Sequence, residues 1–318
     1  MKLIIPQALA PFIEPRLQEV APGLTVVHFD DHGEPDGDVS DAVMLLRWWT
    51  PIGVLRKTLA AAPQLRWIHT PSAGVEHLLV PEVMERDIVL TNSAGAHAIP
   101  IAEFVVMYML NHVKRAFELK ALPPEEWNRG DDVRCGELFG HTVLIIGFGN
   151  IGEEIATRVR GFGMRVLASR RHPRPAEGVD LVVGEAGWRD LLPQADYVVI
   201  AAPLTEATRG MFNADAFSRM KPDAYLINIA RGQIVDTDAL LAALHAGRIA
   251  GAALDALPIE PLPVDHPLWR APNTWITPHI SYSSPRTRER MIDMFVENLR
   301  RFVHGEPLFN VVDKEAGY

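Results

Sequence analysis

The sequence predicts an α/β protein of two βα domains, the larger a doubly wound parallel sheet set into the chain of the smaller. Three observations carry this. Short apolar runs rich in strand-forming residues alternate with helix-like or loop segments along all 318 residues. The run "VLIIGFGNIG" at 143–152 ends in three glycines where a strand should pass into a helix. An amphipathic stretch, "PRTRERMIDMFVENLRRFVHGEP", then closes the chain after the second strand series and is suited to pack back on the first domain.

The length accommodates two domains at about 150 residues each. The first series contains "KLII", "TVVHF", "VMLLRW", "RWIHT" and "IVLTN", punctuated by Pro, Gly or Asp, and reads as a small parallel sheet. Pro100 opens a helical pattern, "PIAEFVVMYMLNHVKRAFELKAL", apolar around most of its circumference up to Asn111. Such a helix is buried, inside the fold or against another subunit, and the subunit interface is the expectation. From His141 the strands "TVLIIG", "RVLAS", "DLVV", "YVVIAAP", "AYLINIA", "GAALDA" and "TWITP" alternate with helical patterns such as "NIGEEIATRVRGFG" and "TDALLAALHAGRI". The expected boundaries are 1–98 with 284–318 for the first domain and 99–283 for the inserted one.

Composition narrows the partners. A chain 48% hydrophobic and 22% charged is globular, and a net charge of −9 argues against a broad nucleic-acid surface. The single cysteine, Cys135, excludes an intramolecular disulfide and a cysteine-rich zinc site, and no metal is expected. The apolar start is cut short by Pro6, and "IAEFVVMYML" contains Glu103 and is too short for a membrane span. A cytoplasmic protein is expected.

The order strand, glycines, helix is what a dinucleotide needs. Gly147 makes the turn, Gly149 clears space for a pyrophosphate, and Gly152 lets helix pack on strand. The N–H groups at Asn150 and Ile151, on the helix's positive end, then face the phosphates of a Rossmann-type site. The next strand, "RVLAS", runs into "RRHPRP", so Ser169, Arg170 and Arg171 stand where an NAD site usually has a carboxylate. Arginine offers a planar cationic fork to a 2′-phosphate, so NADP(H) is expected over NAD(H), with NAD(H) possible.

Three polar residues follow strand ends in the second half, where open α/β sheets bind ligands. "YLINIARG" delivers Arg231, "GAALDALPIEP" delivers Glu260 and "TWITPHI" delivers His279. Singly each could hold a loop, meet solvent or cap a strand. Together they are a cation, an acid and a titratable proton donor.

The stretches "TPSAGVEHLL", "TNSAGAHAIPIAEFVVMYML", "GFGNIG", "APLTEATRGMFN", "INIARGQIVD", "GAALDALPIEP", "TPHI" and "ENLRRFVHGEPLFNVVD" cover most of the chain. In them the chain resembles the D-isomer-specific 2-hydroxyacid dehydrogenase family. The resemblance implies a Rossmann-type nucleotide domain inserted into a smaller flavodoxin-like substrate domain; a homodimer is expected from the apolar helix at Pro100. It implies that Arg231, Glu260 and His279 are the catalytic arginine, acid and histidine. It assigns carboxylate binding to the backbone at Ala73, Gly74 and Val75, the nicotinamide amide to Asp255, and the cofactor lining to Pro203, Thr208 and Ala230.

The residue types suit reduction of a 2-keto acid. His279 would give the proton, since imidazole titrates near neutrality. Glu260 would orient the ring and favour its charged form. Arg231 would grip the carboxylate. "SRRHPRP" resembles the NADP-preferring glyoxylate/hydroxypyruvate reductase branch. Two departures stand out: "ISYSS" after His279, where many relatives have glycine beside small residues, and the bulky Trp48 and Trp49 in "LLRWWT". Trp48 is a candidate substrate wall, or else core filler.

Two rival readings remain. Formate dehydrogenases share the architecture but characteristically carry glutamine for the acid, which Glu260 argues against. An NAD(P)H-sensing protein of the same fold, without turnover, would keep the same residues.

Overall fold

The computed structural model describes residues 1–75, 77–126 and 134–317. They form two compact units, Met1–Ala96 with Ser284–Tyr318, and His97–Ser283. The first boundary thus falls two residues before the expected 98/99.

The first unit holds strands β1 (Lys2–Pro6), β2 (Thr25–Phe29), β3 (Met44–Leu46), β4 (Trp67–Thr70) and β5 (Val89–Asn92). All pairings are parallel, in the order β2-β1-β3-β4-β5, which is the flavodoxin-like arrangement. Helices α1 (Ala10–Val20), α2 (Ile52–Ala61) and the short α3 (Pro81–Met84) connect them. Because both faces are covered, the strands read as unbroken apolar runs, and their alternate residues enter two separate cores. Leu45 and Ile68 face the side of α2, whereas Met44, Leu46 and Trp67 face α1. The last helix (Thr287–His304) closes the second of these cores, with Trp67 stacked on its Phe295 and Phe302 at 5.3 Å each. It ends where Gly305 turns left-handed at φ 69°.

The second unit begins with α4 (Ala98–Val113) and α5 (Ala116–Ala121). One continuous helix from Pro100 was expected, and the structure differs at both ends. The helix starts at Ala98, so Pro100 still lies among the first residues, whose N–H groups lack an intrahelical acceptor. It breaks at Arg115, which is left-handed at φ 51°. No Gly or Pro marks that break, so periodicity alone runs through it. Ala102, Val105, Tyr108 and Met109 of α4 are fully buried in this same unit, where α4 packs on α6 (Asn150–Arg160). Burial of that face is explained inside the fold.

Seven parallel strands follow: β6 (Thr142–Ile146), β7 (Arg165–Ser169), β8 (Leu181–Val183), β9 (Tyr197–Ile200), β10 (Tyr225–Asn228), β11 (Gly251–Leu254) and β12 (Thr274–Ile276). Their order is β12-β11-β10-β9-β6-β7-β8, a doubly wound Rossmann sheet with one added strand. The order reverses between β6 and β9, beside the glycine turn that opens α6. Two caps set the remaining helices of this unit. Asn213 accepts from Ala216 N–H at the start of α7 (Ala214–Arg219), and Asp236 accepts from Asp238 and Ala239 N–H at the start of α8 (Thr237–His245). No helix among the described residues is long and apolar enough to cross a membrane.

Candidate active site

The glycine turn is built as the motif requires. Gly147 sits at φ 94°, and a Cβ there would lie 2.4 Å from the Ala202 backbone. Its N–H and that of Phe148 donate to Ser169 O at 3.1 and 2.8 Å, which ties the turn to the end of β7. Ser169, which supplies that carbonyl, is almost fully buried. Gly149 caps α6 and has nothing within 4 Å of where a Cβ would stand, so the backbone there is open. The first turn, Asn150–Ile151–Gly152, presents helix N–H groups, with Gly152 buried against Phe148 and Ile145.

Arg170 follows β7, anchored by its N–H to Val183 O at 3.1 Å, and its guanidinium stands 5.9 Å from the Phe148 ring centroid. Arg171 is exposed next to it. Pro203 and Thr208 belong to one turn after β9, in which Thr208 Oγ1 donates to Pro203 O at 2.7 Å and accepts from Thr205 N–H at 2.8 Å. Ala230 lies just past β10, its N–H bound to Asn228 Oδ1 at 3.1 Å. An open backbone, a positive helix end and arginines in the ribose-reading position fit a phosphorylated dinucleotide.

Arg231, Glu260 and His279 follow the C-terminal ends of β10, β11 and β12, three adjacent strands. His279 Nδ1 lies 2.8 Å from Glu260 Oε2, and Glu260 Oε1 accepts from Leu257 N–H at 2.9 Å. Both side chains remain a little over one-third exposed, so the pair is open to a substrate. The turn at Arg231–Gln233 packs on the same loop. A Cβ on Gly232 would lie 2.0 Å from the Leu257 carbonyl carbon, and Gln233 Nε2 donates to Pro258 O at 3.2 Å. Arg231 itself is steered by Asn228, whose Nδ2 donates to Arg231 O at 3.0 Å.

Asp255, expected to meet a nicotinamide amide, stands beside the His279 loop. It is fully buried, and its carboxylate accepts from Thr277 Oγ1 at 2.6 Å, Ile280 N–H at 2.9 Å and Ser281 N–H at 3.0 Å. Tyr108 of α4 extends the chain, its hydroxyl 2.6 Å from Thr277 Oγ1. Burial drives the Tyr108 pKa well above its ordinary value, so the phenol stays neutral. These bonds bracket His279, which is itself left-handed at φ 49°. Sequence reasoning missed Tyr108, Thr277 and Asn228. The one available signal was polarity at strand ends and on an otherwise apolar helix.

The proposed substrate contacts in the first unit are placed as follows. Ala73, Gly74 and Val75 form the loop after β4, with Asn92 Nδ2 donating to Ala73 O at 2.8 Å and Val75 fully buried. Trp48 is half-buried on the core beneath α1, whereas Trp49 is largely exposed.

Residues 106–281 match the D-isomer specific 2-hydroxyacid dehydrogenase NAD binding domain. The chain belongs to the D-isomer-specific 2-hydroxyacid dehydrogenase family. A glyoxylate reductase of Thermofilum pendens is 36% identical over 267 residues, 82% of this chain and 78% of the relative. The glyoxylate reductase/hydroxypyruvate reductase of Homo sapiens is 38% identical over 253 residues, 78% of this chain and 77% of the relative. A solved D-isomer specific 2-hydroxyacid dehydrogenase of Xanthobacter autotrophicus Py2, in complex with NADPH and MES, aligns with a TM-score of 0.85 at 31% identity, covering 100% of this chain and 99% of that one. An NADPH-dependent glyoxylate/hydroxypyruvate reductase of Sinorhizobium meliloti, in complex with NADP and sulfate, aligns at 0.81 and 28% identity with the same coverage. Family membership accounts for the Rossmann-type unit and its partner sheet together.

Proposed function

We propose that this dehydrogenase reduces a small 2-keto acid of the glyoxylate or hydroxypyruvate type to the D-2-hydroxy acid, reversibly, with NADPH preferred over NADH. The observation that carries the reading is the His279–Glu260 pair at 2.8 Å, one strand end from Arg231. It is an acid–base pair beside a cation that a carboxylate needs. The glyoxylate reductase relatives and the NADPH-bound neighbours support the substrate class and the cofactor. They also favour an enzyme over a nucleotide sensor.

When bound, NADPH supplies the hydride to the carbonyl carbon. The remaining work falls to this chain. Arg231 binds the substrate carboxylate through paired N–H donors and draws the carbonyl oxygen into register. His279 Nε2–H donates the proton to that oxygen as it gains negative charge, leaving a neutral imidazole and a hydroxyl group. Glu260 holds Nδ1–H and so determines which ring nitrogen faces the substrate. Gly147, Gly149 and the N–H groups of Asn150–Gly152 take the pyrophosphate, and Arg170 with Arg171 takes the 2′-phosphate. The turn residues Pro203, Thr208 and Ala230 line the cofactor. In the first unit Trp48 and the Ala73–Gly74–Val75 backbone are substrate contacts. A cytoplasmic homodimer completes the proposal, tested by light scattering and by fractionation.

The test is steady-state turnover of glyoxylate, hydroxypyruvate and a wider 2-keto acid panel with NADPH and NADH. Sustained NADPH oxidation with the small keto acids is expected. Tight NADPH binding without turnover of any panel member would replace the enzyme with a sensor.

A further inference from the structure

The loop that carries His279 also carries a bulky aromatic residue, Tyr282, which the reaction described above does not use. Its backbone is fixed on both sides. Ser281 N–H is bound to buried Asp255, and Ser283 N–H donates to Ile280 O at 2.8 Å, closing a turn. The turn brings the Tyr282 ring back onto His279, with centroids 6.2 Å apart and planes at 74°. On another side the ring meets His97 edge-on, at 5.7 Å and 85°. His97 is buried at the start of α4, so it is a fixed support. Tyr282 itself remains 44% exposed.

These contacts address a weakness in the catalytic pair. Apart from its own Cβ–Cγ bond, the imidazole is held by Glu260 at one atom, Nδ1, which leaves the ring a pivot about Cβ–Cγ. A second contact at a steep angle removes the pivot. We propose that Tyr282 is a positioning residue for proton transfer: braced on His97, its ring fixes the plane of the His279 imidazole, while Glu260 fixes its tautomer. The inference rests on the reading of His279 as the proton donor. It assigns the effect to the ring of Tyr282, not to its hydroxyl.

The experiment compares wild type, Tyr282→Leu, Tyr282→Phe and His279→Ala with glyoxylate and NADPH. An edge-to-face aromatic contact corresponds to about a 2- to 10-fold factor. Tyr282→Leu is expected to lose about that much in kcat, with KM for glyoxylate and for NADPH unchanged. Its solvent deuterium isotope effect should rise while the primary effect of deuterated NADPH falls, because proton delivery has become the slower event. Tyr282→Phe should restore both kcat and the isotope effects. Wild-type kinetics in Tyr282→Leu, a loss confined to KM, or equal damage in the Leu and Phe variants would overturn the inference. Full turnover in His279→Ala would overturn the proton-donor reading itself, which separates the two failures.

Discussion

Glu260 uses both carboxylate oxygens at once, one 2.8 Å from His279 Nδ1 and the other accepting from Leu257 N–H at 2.9 Å. Glutamine at this position has one acceptor for two donors, so one contact must be lost. Losing a hydrogen bond to a charged group costs about 1.5–3 kcal/mol, which is roughly 10- to 150-fold in rate. Glu260→Gln should therefore lower kcat by that order, with NADPH affinity close to wild type. Wild-type turnover would remove Glu260 from the mechanism and revive the formate-type alternative.

Removing the donor itself should cost more. A general acid contributes about 10²–10⁴-fold, and His279→Ala should lose that much kcat while binding NADPH normally by fluorescence titration. His266 is the nearest candidate substitute in sequence, but its Nδ1 accepts from Leu268 N–H at 3.2 Å as a helix cap. Undiminished turnover in His279→Ala would move the proton-donor role elsewhere.

Cofactor preference should reside in Arg170. It extends from the end of β7 beside the glycine turn and rests against Phe148 within that turn. Arg170→Asp replaces a cation with the carboxylate that accepts ribose hydroxyls, so the ratio of kcat/KM for NADPH over NADH should fall. A wild-type enzyme that already prefers NADH at equal concentration contradicts the assignment.

The glycines of the turn should separate stability from binding. Gly147→Ala sets a Cβ 2.4 Å from the Ala202 backbone at φ 94°, a clash added to a left-handed strain. A drop in Tm of roughly 5–15 °C follows from a cost of a few kcal/mol in a unit of this size. Gly149→Ala meets nothing within 4 Å. It should keep the wild-type Tm and lose NADPH affinity, since its methyl group enters the space left for phosphate. Equal Tm values for both variants would refute the distinction.

His69 should make the first unit acid-sensitive. It is buried between Thr91 Oγ1 at 2.8 Å and Ser93 Oγ at 3.0 Å, and burial pushes its pKa down to about 3. The unfolded chain binds a proton near pH 6.5 that the folded chain refuses until about pH 3. Its stabilising contribution is therefore complete above pH 6.5 and declines as pH falls through that window, by at most about 1.4 kcal/mol per unit. Urea midpoints between pH 7 and 4 should fall less steeply for His69→Gln than for wild type. Parallel slopes would show that His69 is not the group responsible.

Much of this molecule was legible in its sequence because its signals are local. A strand buried on both faces must be apolar without interruption, and Val143–Ile146 and Tyr197–Ile200 could be little else. A backbone that turns at φ 94° against another strand requires glycine, so Gly147 announces its place. The end of the last helix was legible for a similar reason, because Gly305 adopts the left-handed cap that stops it. Arg231, Glu260 and His279 could be picked out because polar residues directly after buried strands have to be explained by a site or a cap.

What the sequence left open depends on long-range contacts. The left-handed Arg115 breaks a helix whose residues favour continuing, and no local rule foretells it. Three donors from the β12 loop reach the Asp255 carboxylate once the strands lie side by side, a network no local pattern foretells. Tyr108 is 169 residues from Thr277 in the chain and 2.6 Å from it in the fold. The sequence by itself determined the order of strands, the glycine turn and the chemical types available for catalysis, since these follow from burial and backbone freedom at each position. Only the tertiary structure decided which polar groups face one another, because hydrogen-bond partners are chosen by distance in space and a buried carboxylate must take the donors that surround it.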